Sequence, residues 1–262
     1  MSSPLAGLRV VITRAEGQGE SLAAQLAALG ATPLLHPMIA FAPPLDPAPL
    51  DAVLADVRRY AWVVLTSPNA ASALAHRLAA LGVGAGALSD VRLAAVGPAT
   101  AQVLAARGMR VALVPRRHIA EGLLEEIGEV AGERVLLPCA DIARETLADG
   151  LRARGALVDA VVAYRTVPGQ GAATLAPLLL AGQVDAITFT SSSTVRYMIE
   201  GLAQAGLTPA DLPALLNPLA LIFIGPATAR TASDLGLAGI TAQEYTSPGI
   251  TAALLGWAAQ RR

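Results

Sequence analysis

The residues best placed to do chemistry stand where short apolar runs stop. Val63-Val64-Leu65-Thr66-Ser67-Pro68-Asn69-Ala70 reads as a buried strand turning sharply into a helix, and a near copy returns as Ile187-Thr188-Phe189-Thr190-Ser191-Ser192-Ser193-Thr194. In the first copy Ser67 is a natural helix cap, and Pro68 suits the first helical position, where its missing N–H costs nothing. The helix start is rich in hydroxyls and has no carboxylate, so its unpaired backbone N–H groups form a cradle for an anion. Thr66, Ser67 and Asn69 in one copy, and Thr190, Ser191 and Ser192 in the other, are therefore candidate ligands of an anionic substrate. A second kind of turn is also duplicated, as Val96-Gly97-Pro98-Ala99-Thr100-Ala101 and Ile224-Gly225-Pro226-Ala227-Thr228-Ala229. Glycine lets backbone approach a ligand closely, which adds Gly97, Thr100, Gly225, Ala227 and Thr228 to the candidates. One such turn alone is ordinary punctuation. Four turns of two kinds, each in two copies, fall at the carboxyl ends of strands, where α/β sheets bind their ligands, and are expected to converge on a cleft.

The remaining candidates are single residues. Arg14 follows its strand immediately, and Arg144 opens a helix facing the second strand-to-helix turn; each can grip a carboxylate or simply stand in solvent. Tyr164 precedes a Pro168-Gly169 break and reads either as packing on an edge strand or as a phenol that donates a proton. Ser67 and Ser191 have no sequence-visible His or Asp relay, and no Gly-x-Ser-x-Gly elbow is present, which argues against a nucleophilic serine. There is no Gly-x-Gly-x-x-Gly fingerprint and no Gly-Lys-Ser/Thr phosphate loop, so no nucleotide cofactor is expected. His36, His76 and His118 stand far apart and Cys139 is alone, so neither a metal site nor an internal disulfide is expected. Asp141, Asp159, Asp185 and Asp234 read as solvated caps.

The chain has 262 residues, enough for two modest domains or one large one. It is 54% apolar but only 3% aromatic, so the core must be built from Ala, Leu and Val, as in an α/β protein. A net charge of −1 argues against a nucleic-acid or membrane-surface binder. Every basic side chain is arginine, which grips carboxylates bidentately where lysine cannot, although coding bias gives the same result. No apolar run approaches the ~20 residues of a membrane span, and the opening residues lack a secretory signal, so a cytoplasmic location is expected.

The elements that must position these groups alternate strand and helix throughout, which predicts parallel sheets flanked by helices. The pattern predicts strands at Leu8–Thr13, Trp62–Leu65, Arg92–Val96, Val111–Val114 and Arg134–Leu137, with an extended piece over Pro33–Phe41 and another over Val158–Thr166. Helices are predicted over Glu20–Leu29, Leu50–Arg59, Ala70–Leu81, Ala120–Val130 and Arg144–Arg154, with Leu74, Leu78 and Leu81 on one face. After Pro168-Gly169-Gln170-Gly171 come a helix near Leu175–Leu180, a strand at Ala186–Phe189, a helix over Thr194–Gln204 and a strand at Leu219–Ile224. A helix to Leu235, a strand at Gly239–Ala242 and a helix opened by Ser247-Pro248 complete the chain.

The order repeats. Arg9 maps to Arg134 and Gly30 to Gly155 at an offset of 125, Ser67 to Ser191 at 124 and Gly97 to Gly225 at 128. The halves therefore read as copies of one α/β unit. Pro43, Pro44, Pro47 and Pro49 make a stiff connection, and the Pro168-Gly169 break is a second candidate linker.

These residues resemble the uroporphyrinogen-III synthase family. The likeness rests on Ile12-Thr13-Arg14, Leu65 to Ala70, Val96 to Ala101, Tyr164-Arg165-Thr166, Ile187 to Ser192, Ile224 to Arg230 and Tyr245-Thr246-Ser247-Pro248-Gly249, in the family's order. It implies two similar lobes with the chain crossing twice: 1–38 with 168–262, and 43–164, with linkers near 39–42 and 165–167. Each repeat's first strand-helix unit would then complete the other's sheet. It also implies a cofactor-free reaction, in which hydroxymethylbilane loses its terminal hydroxyl and closes to uroporphyrinogen III with ring D inverted. Tyr164 is the matching proton donor, and a monomer is expected. The alternative is a bilobed protein that closes on an anionic small molecule without chemistry.

Overall fold

The computed structural model describes residues 3–142, 146–208 and 210–261. In chain order the elements are β1 (Arg9–Ile12), α1 (Glu20–Ala28), β2 (Thr32–Leu35), β3 (Ile39–Ala42), α2 (Ala48–Ala55), β4 (Trp62–Leu65), α3 (Pro68–Ala80), β5 (Arg92–Ala95), α4 (Pro98–Ala105) and β6 (Val111–Leu113). Next come α5 (Ala120–Glu126), β7 (Arg134–Ala140), α6 (Thr146–Ala153), β8 (Leu157–Pro168), α7 (Gly171–Leu180) and β9 (Ala186–Phe189). The last are α8 (Ser192–Gln204), α9 (Leu212–Leu216), β10 (Ala220–Phe223), α10 (Pro226–Asp234), β11 (Ile240–Thr241) and α11 (Ser247–Ala259).

The chain divides into two compact units, one made of 1–40 with 167–262 and the other of 41–166. The first unit holds a five-stranded sheet in the order β11-β10-β9-β1-β2, every pair parallel. Its strands come from both halves of the chain: β1 and β2 from the first copy, β9 to β11 from the second. Two buried threonines fix the join. Thr13 Oγ1 donates to the Thr188 carbonyl at 2.7 Å and Thr188 Oγ1 donates to the Val11 carbonyl at 3.0 Å, so both hydroxyls are satisfied without water. Arg9 adds a pair with Asp185 at 3.0 Å. Burial pushes the Asp185 carboxyl up, but its hydrogen bonds from Arg9 outweigh that and hold it below the usual range.

The second unit is built on the sheet β3-β8-β7-β4-β5-β6, with β8 to β6 parallel. Its central strands are buried on both faces, as a parallel sheet covered by helices requires. Along β4 the side chains alternate: Val63 and Leu65 enter one core with Leu74 and Leu78 of α3, and Trp62 and Val64 enter the other with Leu123 and Leu151. The first unit repeats this, with Ile187 and Phe189 on one side and Ala186 on the other.

The elements depart from the sequence pattern in a few places. The extended piece over Pro33–Phe41 is two strands, β2 and β3, in different sheets. The helix predicted to Val130 stops at Glu126, and Gly128 takes a φ of +80°. The helix predicted from Leu175 already starts at Gly171. Leu81, grouped with Leu74 and Leu78 on one helix face, lies just past the end of α3 as its cap and is exposed, while the other two are buried.

Candidate functional site

In the second unit the candidates gather at the carboxyl edge of β4 and β5. Ser67 is extended (φ −150°) and caps α3, its Oγ accepting from the Ala70 N–H at 3.1 Å. The Tyr164 hydroxyl lies 3.2 Å from the same Oγ. Tyr164 reaches that point through an irregularity in β8. Cys139 of β7 pairs with Val162, but Ala140 pairs with Tyr164, so Ala163 is an extra residue. Ala163 and Tyr164 then contact the same core, which two successive residues of a regular strand cannot do. The Phe41 and Tyr164 rings meet edge to face, with centroids 5.6 Å apart, which fixes the phenol. A groove of about 400 Å³ opens beside it, walled by Phe41, Pro43, Asn69, Ala73 and Arg77.

Asn69 is half-buried and Thr66 exposed at this edge, as ligands would be. At the neighbouring turn Thr100 is buried, and its N–H is spent on the Gly97 carbonyl at 3.1 Å. What faces outward there is Pro98 and Ala99, so an anion at this turn meets backbone, not the threonine. Gly97 itself is extended (φ −140°), a conformation open to any residue. A Cβ at this glycine would find only the His118 Cβ, at 3.9 Å. Nothing within the described chain requires a glycine there. Arg144 lies outside the described residues.

In the first unit the turns after β10, β9 and β1 stand side by side along one sheet edge, at the strand spacing of ~4.8 Å. Ser191 caps α8, accepting from the Thr194 N–H at 3.2 Å. Thr190 is half-buried. Ser192 is used structurally: its Oγ donates to the Ala227 carbonyl at 3.3 Å and accepts from Thr231 at 2.8 Å, tying α8 to α10. Thr228 is buried, whereas Ala227 is exposed at the head of α10. Here the surroundings are tighter, because the ring of Tyr245 would lie only 3.2–3.4 Å from a Cβ at Gly225.

Arg14 differs from the paired arginines. Its Nε is buried with no partner, and one terminal nitrogen sits 3.5 Å from the Gln18 carbonyl. Burial holds its pKa below the usual arginine value. No carboxylate among the described residues pairs with it. A half-buried guanidinium with no carboxylate partner among the described residues, at the carboxyl edge of β1, has the chemistry to take an acid.

Sequence reasoning did not count as site candidates two side chains that the structure places beside the Gly-Pro-Ala-Thr turns, Tyr245 and His118. The signal was present, since Gly122 and Gly249 continue the repeat at an offset of 127.

Comparison with known proteins bears on this arrangement. A family model for uroporphyrinogen-III synthase HemD matches residues 20–252. A uroporphyrinogen-III synthase of Synechococcus elongatus is 38% identical over 263 residues, covering 98% of both chains. Porphyrin biosynthesis protein HemD of Ruminiclostridium josui is 30% identical over 251 residues, which are 94% of this chain and 48% of that one. Among solved structures, a mutant uroporphyrinogen III synthase from Thermus thermophilus has a TM-score of 0.61 at 22% identity, covering 98% of this chain and all of its own. The Helicobacter pylori enzyme has a TM-score of 0.60 at 15% identity over 95% of this chain and 99% of that one; at these identities the likeness is one of fold. With a family model spanning most of its length and a relative matched end to end, the chain belongs to the uroporphyrinogen-III synthase family, cyclising lyases of porphyrin biosynthesis.

Proposed function

We propose that the chain closes hydroxymethylbilane to uroporphyrinogen III, with Tyr164 as the proton donor and helix heads at the carboxyl edge of a sheet holding carboxylate arms. The observation that carries this is the hydrogen-bonded line from the Ala70 N–H to Ser67 Oγ to the Tyr164 hydroxyl. Ser67 Oγ accepts from the helix head, which leaves its own hydrogen to point at the phenol oxygen. The phenol's hydrogen is then free to go to the departing hydroxyl of the bilane. The C–O bond breaks, the hydroxyl leaves as water, and the pyrrole nitrogen supplies the electron pair that the carbon loses. Negative charge left on Tyr164 is met by Ser67 and by the positive end of α3.

The uncatalysed closure of a flexible polyanion gives the uninverted isomer, so the main task is to hold one geometry. Thr66, Ser67, Asn69, Gly97, Thr190, Ser191, Gly225 and Ala227 supply backbone and hydroxyl donors, and Arg14 supplies a charge. Thr100, Thr228 and Ser192 serve by shaping the turns. We place the enzyme in the cytoplasm, working as a monomer. The alternative of a binder without chemistry is not favoured by the family match. Incubating purified protein with hydroxymethylbilane and separating the isomers tests the proposal: accelerated type III product is expected, and type I alone at the uncatalysed rate refutes it.

A further inference from the structure

Tyr245 is 65% exposed, yet one face of its ring is held. The ring carbons Cδ1, Cε1 and Cγ lie 3.2 to 3.4 Å from the position a Cβ would take on Gly225. The loop that carries Tyr245 is pinned. Thr246 caps α11 by accepting from the Gly249 N–H at 3.2 Å. A Cβ at Gly249 would lie 2.0 Å from the Glu244 carbonyl oxygen, so only glycine lets the loop press onto the helix.

The second unit builds the same device. A Cβ at Gly122 would lie 2.1 Å from the Arg117 carbonyl oxygen, and the next residue, His118, stands beside Gly97 as Tyr245 stands beside Gly225. Both copies thus fix a side chain against the glycine of a Gly-Pro-Ala-Thr turn. In the first unit that side chain is a large aromatic, and most of it faces water.

We propose that Tyr245 is a substrate-positioning residue whose free ring face receives one pyrrole of the tetrapyrrole, with that pyrrole's carboxylate arm directed to the head of α10 at Ala227. This rests on the synthase reading. Pyrroles are flat and electron-rich, and they stack in the offset manner of aromatic side chains. The tyrosine hydroxyl has no part in this contact.

The test pairs turnover with direct titration by uroporphyrin III, the stable oxidised form of the product. Tyr245→Ala is expected to raise KM and the Kd for uroporphyrin III about tenfold. It should leave kcat within about twofold and the thermal midpoint unchanged, while Tyr245→Phe behaves as wild type. Unchanged affinity in Tyr245→Ala overturns the proposal, as does an equal loss in Tyr245→Phe or a loss of affinity that tracks a fall in Tm. A wild type that binds uroporphyrin III but makes no type III product ends the synthase reading alone, and the titration of the variants still decides Tyr245.

Discussion

Gly97→Ala separates a glycine kept for the fold from one kept for a ligand. The backbone there is already extended, and the added methyl would meet only the His118 Cβ at 3.9 Å, an ordinary contact. The fold should therefore tolerate alanine. Narrowing the unfolded ensemble should gain about 0.4–1 kcal/mol, and the poorer N-cap that alanine makes for α4 should cost about as much, so Tm should stay within roughly 2 °C of wild type. Binding should respond far more strongly. If a carboxylate lies on the turn to reach the Ala99 N–H, the methyl displaces it and one charge-assisted hydrogen bond is lost. Such a bond is worth about 1.5–3 kcal/mol, which corresponds to a KM raised roughly 10- to 150-fold. Gly225→Ala is the internal comparison, since its methyl would press on the Tyr245 ring at 3.2 Å. Initial rates over a range of hydroxymethylbilane concentrations, beside thermal unfolding, measure both quantities. A Gly97→Ala protein with wild-type KM refutes the idea that this turn is a ligand contact.

Tyr164→Phe removes the proposed proton donor and keeps the packing on Phe41, so kcat should fall by about 10- to 100-fold with KM little changed, at the low end of general-acid effects; rapid-quench turnover checks it. Arg14→Gln should raise KM roughly tenfold or more through loss of a charged contact, while Tm holds or rises because an uncompensated, partly buried charge has gone. His36 is buried, its Nδ1 2.9 Å from Thr174 Oγ1, and burial outweighs the Gly171 hydrogen bond to hold its pKa below the usual value. The unfolded chain then takes up the proton first, so stability should be full above about pH 6.5 and decline as pH falls toward the lowered value. Thermal unfolding against pH should show that decline, and His36→Asn should flatten it. Gly249→Ala and Gly122→Ala each drive a methyl into a backbone carbonyl and should cost about 1–3 kcal/mol, read from denaturant unfolding.

Strands such as β4, β9 and β10 were legible because a strand buried on both faces leaves an unbroken apolar run, and the glycines and prolines after them mark where the helices start. The helix α9 was not, since five residues are too few to show a period. Nor could an extended run over Pro33–Phe41 reveal that β2 and β3 belong to different sheets, because strand partners are chosen by contacts far away in sequence. The turns of the site were visible in outline. Which of their side chains face outward was not: Thr100 and Thr228 look like Ser67 and Ser191 in the sequence, yet the helix turn sends them into the core. The shift of register that brings Tyr164 to Ser67 depends on pairing β8 with β7, which one strand's sequence does not contain.

The choice of donors follows from the ligand. Arginines bunched around a many-armed acid would repel one another in the empty site, and each would lose side-chain freedom on binding. Elsewhere in the chain the arginine charge is spent internally, as in Arg9 with Asp185, Arg92 with Glu133 and Arg77 with Asp51. Backbone N–H groups at helix heads carry a fixed partial charge, do not titrate and are already ordered by the helix. Capped turns, with Arg14 lacking a carboxylate partner among the described residues, therefore fit the proposed reading, in which a substrate's geometry must be held without a large desolvation cost.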